Sequence, residues 1–120
     1  MALMMLITQY SNEAYRSVAD GKGGDRGKAN EELMARLEAK IIDQYFSPGD
    51  GFIYTILEGK PEIMTDLHFI GKATGGFQYI EVKLLISGEE FRARSRQVGE
   101  QVNKFDAPNR DEIDRMLLDE

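Results

Sequence analysis

The apolar and polar positions of this chain alternate most regularly between Ile63 and Gln97. Three segments there, 63–72, 77–86 and 90–97, favour β-strands joined by short glycine-containing turns. The alternation predicts an antiparallel meander with one apolar and one charged face. The predicted apolar face carries Ile80, Val82, Leu84, Ile86, Phe91 and Ala93. The predicted charged face carries Tyr79, Glu81, Lys83, Arg92, Arg94 and Arg96.

The first 30 residues predict a strand, a short helix and a loop. Residues 2–10 are mostly apolar, and we favour a strand over a helix there because it would extend the sheet. Ser11 is a suitable N-cap for a helix over 12–19, and Gly21 suits the end of that helix. Glycine is frequent in residues 20–30, which predicts a flexible loop.

A long amphipathic helix is predicted from about Glu31 to Phe46, with Asn30 as its N-cap. Three of its apolar side chains lie on one helical stripe: Leu33, Leu37 and Ile41. Residues 47–51 contain proline and two glycines and end this helix. Residues 52–57 follow as a strand rich in β-branched and aromatic residues.

The C-terminal part predicts one more short helix. Residues 98–105 fit either a continued strand or a helix, and we leave both open. Asn109 and Glu112 have the spacing of a capping box. Three apolar residues, Ile113, Met116 and Leu117, would then form one face of the helix. The predicted fold is a single two-layer α+β domain over 1–120, a meander of four to five strands packed on the long helix.

Charge and cysteine content exclude several function classes. The chain has 120 residues and a formal net charge of −6, which argues against non-specific binding to nucleic acid or anionic membranes. It has no cysteine, which excludes disulfides, thiolate metal sites and a thiol nucleophile. The apolar run 3–7 is far too short to span a bilayer and has no basic leader. We therefore expect a cytoplasmic protein with no membrane partner and no cofactor.

The glycine-rich loop holds a candidate anion site formed by Lys22, Arg26 and Lys28. Backbone N–H groups and the start of the next helix would add to it. The spacing does not match a phosphate-binding loop, because Lys22 stands where glycine is required and Ala29 where a hydroxyl is required. A solvated connection between two helices is the alternative that we favour.

A candidate acid–base site combines Asp66 and His68 with Tyr79 and Glu81. His68 is the single histidine, and on a strand it would share a face with Asp66. The alternative is an exposed polar pair, which we favour because no nucleophile motif accompanies it. Nothing in the spacing of Asp66, His68 and Glu81 selects a metal, so no metal site is predicted.

The predicted charged face is the third candidate. Arg92, Arg94 and Arg96 beside Tyr79 suggest a sheet that stacks single-stranded nucleic acid, although the charges of this face nearly balance. Cross-strand ion pairs on a solvated surface are the simpler reading of the same residues. A protein interface is a further alternative, because arginine and tyrosine are enriched in interfaces. Its candidate residues are Ile70, Tyr79, Leu85, Arg92, Arg94 and Arg96.

The sequence favours a small binding or interaction protein that forms a homodimer through its sheet, because no complete catalytic constellation is present. The alternative is a small enzyme or ligand-binding protein with a pocket between the long helix and a curled sheet, using Asp66 and His68. A weaker alternative is single-stranded nucleic-acid binding by the arginine strand. Whether the protein is an enzyme stays open, with the balance toward a non-enzyme.

Overall fold

The computed structural model describes residues 1–109, 111 and 115–117. These form two compact units, Met1–Leu85 and Ile86–Glu120, which we describe separately. The predicted α+β class is confirmed, with a four-stranded antiparallel sheet. The predicted capping box and C-terminal helix depend on Glu112 and Ile113, which lie outside the described residues.

The first unit has seven helices and strands. In chain order they are β1 (Ala2–Tyr10), α1 (Asn12–Ala19), α2 (Arg26–Arg36), β2 (Lys40–Phe46), β3 (Ile53–Gly59), α3 (Ile63–Thr74) and β4 (Phe77–Leu85). The strand order in the sheet is β2-β3-β1-β4, and neighbouring strands are antiparallel. The predicted meander is therefore wrong, because the N-terminal strand lies between β3 and β4. Two helical segments link the strands: α1 with α2 between β1 and β2, and α3 between β3 and β4.

The core lies between the sheet and helices α2 and α3. Met4 of β1 and Leu57 of β3 are completely buried, and they pack with Met34 of α2 and with Ile63 and Leu67 of α3. Full burial of one such side chain stabilises the fold by roughly 1.5–3 kcal/mol. The core thus joins the two central strands to both helices.

The predictions for the N-terminal strand and first helix are confirmed. β1 covers the apolar stretch, and α1 begins directly after Ser11. The Ser11 hydroxyl accepts a hydrogen bond from the backbone N–H of Ala14 at 3.1 Å, as an N-cap should. The backbone N–H of Ser11 donates to the carbonyl of Gly76, which ties the start of α1 to the start of β4.

The predicted helix over 31–46 is wrong at both ends. Helix α2 starts at Arg26, because Asp25 rather than Asn30 caps it and accepts from the N–H of Lys28 at 3.0 Å. It ends at Arg36, and Glu38 then has a φ of 56°, in the left-handed region. Residues 40–46 are strand β2, where β-branched and aromatic side chains favour extended backbone.

The predicted strand over 63–72 is helix α3. Its buried residues are Ile63, Leu67 and Gly71, which recur every four residues as one face of a helix requires. Gly75 ends the helix with a φ of 73°. The alternation of Ile63, Leu67 and Phe69 suggested a strand, but Phe69 is 72% exposed and lies outside the core.

The predicted strand over 90–97 is also wrong. In the second unit α4 covers Gly88–Lys104, and the Ser87 hydroxyl accepts from the N–H of Glu90 at 3.0 Å. Ser87 and Glu90 have the spacing of a capping box, a signal for a helix start that the alternation obscured. The helix also decides the open question of residues 98–104, which are helical. It carries an exposed apolar stripe: Phe91, Val98 and Val102.

We expect Leu57→Ala to lower the free energy of unfolding by about 2–5 kcal/mol, because it leaves a cavity in the core. Urea denaturation followed by circular dichroism measures this. Leu84→Ala is the matched control: Leu84 is 53% exposed on β4, so its change should stay within about 0.5 kcal/mol. Equal losses for both variants would contradict the described core.

Candidate functional site

The sheet of the first unit has one face free of that unit's helices. α2 and α3 pack on the face that holds Met4 and Leu57, so the residues that alternate with these point to the opposite side. We call that side the open face. Its apolar and aromatic members are Leu3, Met5, Ile7, Tyr45, Tyr54, Ile56, Tyr79 and Leu85. Such a contiguous apolar surface is typical of an interaction site.

Charged residues of both signs surround the apolar part of the open face. Lys40 of β2 lies opposite Glu58 of β3 in the strand register. On β4, the Lys83 ammonium lies 3.5 Å from a carboxylate oxygen of Glu81. Asp43 of β2 adds one more negative charge. The open face therefore has no strong excess of either sign.

Aromatic rings cluster at one end of the open face. Phe52 precedes β3, and its ring meets that of Tyr79 edge to face with the centroids 5.3 Å apart. The ring of Tyr54 lies 6.5 Å from the same phenylalanine. Edge-to-face packing of this kind stabilises by about 0.5–1.5 kcal/mol beyond the area buried. The cluster forms an aromatic corner of the open face.

Tyr79, Glu81 and Lys83 form a polar row along β4. The Tyr79 hydroxyl donates a hydrogen bond to the Glu81 carboxylate. This bond lowers the pKa of Glu81, and the Lys83 charge lowers it further. The same bond raises the pKa of Tyr79. At neutral pH the row therefore presents a neutral phenol, a carboxylate and an ammonium.

A cavity of about 410 Å³ lies on the helix side of the same unit. Its walls come from helices α1, α2 and α3, the end of β1 and the start of β4. Its apolar walls include Val18, Leu33, Ile70 and Phe77. The ring of Phe77 stacks on that of Tyr10 with the centroids 5.7 Å apart. The volume is within the range of small-molecule sites, about 300–1,000 Å³.

The residues predicted for acid–base chemistry do not form one site. Asp66 and His68 are exposed on α3. Residues i and i+2 of a helix are about 200° apart around its axis, so these two side chains point in different directions. His68 borders a shallow depression with Met64, Thr65 and Val82. Tyr79 and Glu81 are on the open face, across the sheet from α3. The shared face expected for Asp66 and His68 required a strand and is wrong.

Of the three residues of the predicted anion site, one lines the cavity. Arg26 lies on the wall of the cavity, and its guanidinium donates to the carbonyl of Gly23 at 3.2 Å. Lys22 and Lys28 are exposed and do not line the cavity.

The predicted interface residues also fall in different places. Tyr79 and Leu85 are on the open face. Ile70 lies on α3 and lines the cavity instead. The three arginines, Arg92, Arg94 and Arg96, are on helix α4 rather than on a strand. Arg94 donates to the side chain of Gln97 at 2.9 Å, and on a helix it points away from the direction that Arg92 and Arg96 share.

The apolar centre of the open face is the feature that the sequence analysis missed. The missed residues are Leu3, Met5, Ile7, Tyr54 and Ile56. The signal was present, because β1 is apolar at every position from Ala2 to Ile7. An unbroken apolar run indicates a strand that is covered on both faces. The two central strands therefore predict the apolar centre of the open face, whereas the alternation of β4 predicts a charged face.

Two kinds of site are absent from the part of the chain that the structure describes. No group of three or more histidine, cysteine, aspartate or glutamate side chains there could hold a metal ion. None of the helices in those residues has the length and apolar character that crossing a membrane requires.

We expect Tyr79→Phe to raise the pKa of Glu81 toward its ordinary value, because the variant removes the main hydrogen bond to the carboxylate. A lowered pKa means that ionised Glu81 stabilises the fold above its ordinary pKa. That contribution is lost as the pH falls through the lowered value. Carbon-detected NMR titration measures the change. An unaltered Glu81 titration would contradict the bond, and Tyr54→Phe on the same face is the control.

No protein-family model, curated protein or solved structure matches this chain. A functional assignment therefore depends on the open face and the cavity themselves.

Proposed function

We propose that this chain is an interaction protein that forms a homodimer through the open face of its sheet. The observation that carries the proposal is the row of apolar side chains that the two central strands present on the open face, among them Met5, Ile7 and Ile56. These residues are half-buried within the chain itself. A second layer on this face would remove them from water, which is the main favourable contribution to association.

The size of the open face suits a small dimer. Four strands spaced about 4.8 Å apart, with a rise of about 3.3 Å per residue, cover roughly 500 Å² per copy. Two copies would thus bury about 1,000 Å² before side chains interdigitate, the lower limit for a specific interface. Aligned sheets that pack face to face are a common way to form such a layer.

The charge distribution favours a second copy over a nucleic acid or a membrane surface. An anionic partner requires an excess of positive charge, whereas Lys40 and Lys83 are accompanied here by Asp43, Glu58 and Glu81. A two-fold contact brings the same face to itself, so a face with both signs can pair its own charges. The arginines proposed for nucleic-acid binding are on α4, where they do not share one direction.

We expect the full chain to have the mass of a dimer in size-exclusion chromatography with light scattering at tens of micromolar. Ile7→Asp should raise the dissociation constant at least about 100-fold, because each dimer would bury two unpaired carboxylates. Phe69→Asp is the matched control, since Phe69 is 72% exposed on α3 and lies away from the open face. Its variant should remain a dimer.

Two results would contradict the homodimer. One is a monomeric mass for the unaltered chain at about 100 μM. The other is equal dissociation of the Ile7 and Phe69 variants, which would place the contact elsewhere. Circular dichroism of each variant distinguishes dissociation of the dimer from unfolding of the chain.

A further inference from the structure

We infer that the helix-side cavity binds a small organic carboxylate with an apolar body. This site is on the opposite side of the sheet from the open face, so the inference goes beyond the homodimer and does not depend on it. The cavity walls come from β1, α1, α2, α3 and β4 of one chain. No second copy is needed to complete them.

The walls specify an apolar body for the ligand. Seven of the lining residues are hydrophobic or aromatic: Tyr10, Ala14, Val18, Ala29, Leu33, Ile70 and Phe77. Val18 is 45% exposed although it lines the cavity, so an apolar occupant would cover it. The stacked rings of Tyr10 and Phe77 form a flat section of the wall. An alkyl or aryl group is the occupant that such walls favour.

The charged residues of the lining specify an anion. Arg26 and Arg36 are the two charged side chains among the lining residues, and no carboxylate lines the cavity. Neither arginine forms an ion pair with a carboxylate in the described part of the chain. A site with two positive and no negative side chains is notable in a chain whose net charge is −6. The guanidinium group suits a planar carboxylate, which it binds through two parallel hydrogen bonds.

The spacing of the arginines specifies an elongated site. Arg26, Leu33 and Arg36 lie along one side of α2, with Ala29 and Asn30 between them. At 1.5 Å per residue, the two arginines are separated by about 15 Å along the helix axis. The apolar wall lies between two cationic ends. A ligand with its carboxylate at one end and its apolar body along Leu33 fits this order of groups.

A smaller space of about 60 Å³ extends the apolar region toward the sheet. It shares Tyr10, Asn30, Leu33, Ile70 and Phe77 with the larger cavity. Its inner wall includes two buried hydroxyl residues, Thr8 and Thr55. The Thr55 hydroxyl already accepts a hydrogen bond from Gln44 at 2.9 Å. The inner end is thus uncharged and satisfied, which favours the apolar end of the ligand there.

Isothermal titration calorimetry with decanoate and 2-naphthoate, below their aggregation concentrations, tests the inference. Their neutral amides, decanamide and 2-naphthamide, are the matched ligands. We expect at least one acid to bind with one ligand per chain, at least tenfold more tightly than its amide. Arg26→Gln or Arg36→Gln should weaken that acid at least fivefold and leave the amide unchanged. Whichever variant has the larger effect marks the carboxylate end.

Two further variants separate the cavity from the general surface. Arg16→Gln is the control for charge, because Arg16 is exposed on α1 and does not line the cavity. It should bind the acid as the unaltered chain does. Ala29→Phe fills the cavity from α2 and should abolish binding of the acid. Circular dichroism verifies that each variant is folded.

The inference is overturned if neither acid binds at millimolar concentration, or if the amides bind as tightly as the acids. It is also overturned if Arg16→Gln weakens the acid as much as both cavity arginines do, or if Ala29→Phe binds normally. Repeating the titration with the Ile7→Asp variant distinguishes this site from the homodimer. Binding should persist there, whatever the oligomeric state of that variant.

Discussion

The position of β1 between β3 and β4 is the constraint on which the rest of the first unit depends. Because both helical segments connect strands that are separated by one intervening strand, both cross the same face of the sheet. Met4 of β1 then meets Met34, Ile63 and Leu67 from those segments. One face of the sheet is therefore covered by α2 and α3, and the cavity lies among the helices on that side. The other face is the open face.

The sequence predicts the α+β class, β1, α1, β3 and β4, but not the order of the strands. Local periodicity was ambiguous where helical and strand spacings overlap. Ile63, Leu67 and Phe69 fit the alternation of a strand, whereas Ile63, Leu67 and Gly71 fit one face of a helix. A side chain at Gly71 would clash with Ile80 of β4. That close approach of α3 to β4 is a tertiary contact, which no local sequence pattern predicts. Similarly, the break at Glu38 depends on a single residue in the left-handed region.

The candidate sites were predictable to different degrees. The two faces of β4 followed from its alternation, and Tyr79 and Leu85 lie on the open face as expected. The apolar centre of that face needed the register of β1 with its neighbours, which chain order alone does not provide. The cavity is harder still to predict, since its walls come from five elements between β1 and β4. Of the residues predicted for the anion site, Arg26 lines the cavity, whereas Lys22 and Lys28 do not.

The register of β1 also determines when the sheet can be completed. Leu3, near the start of the chain, pairs with Leu85 at the end of β4. During synthesis the first strand to emerge must therefore wait for the last one, and such non-local pairing slows folding. Until then one edge of β1 lacks its partner strand, and an unpaired strand edge makes nascent chains prone to aggregate. Slow translation or a destabilised β4 would prolong that interval, so substitutions there should reduce soluble yield more than their effect on the folded state suggests.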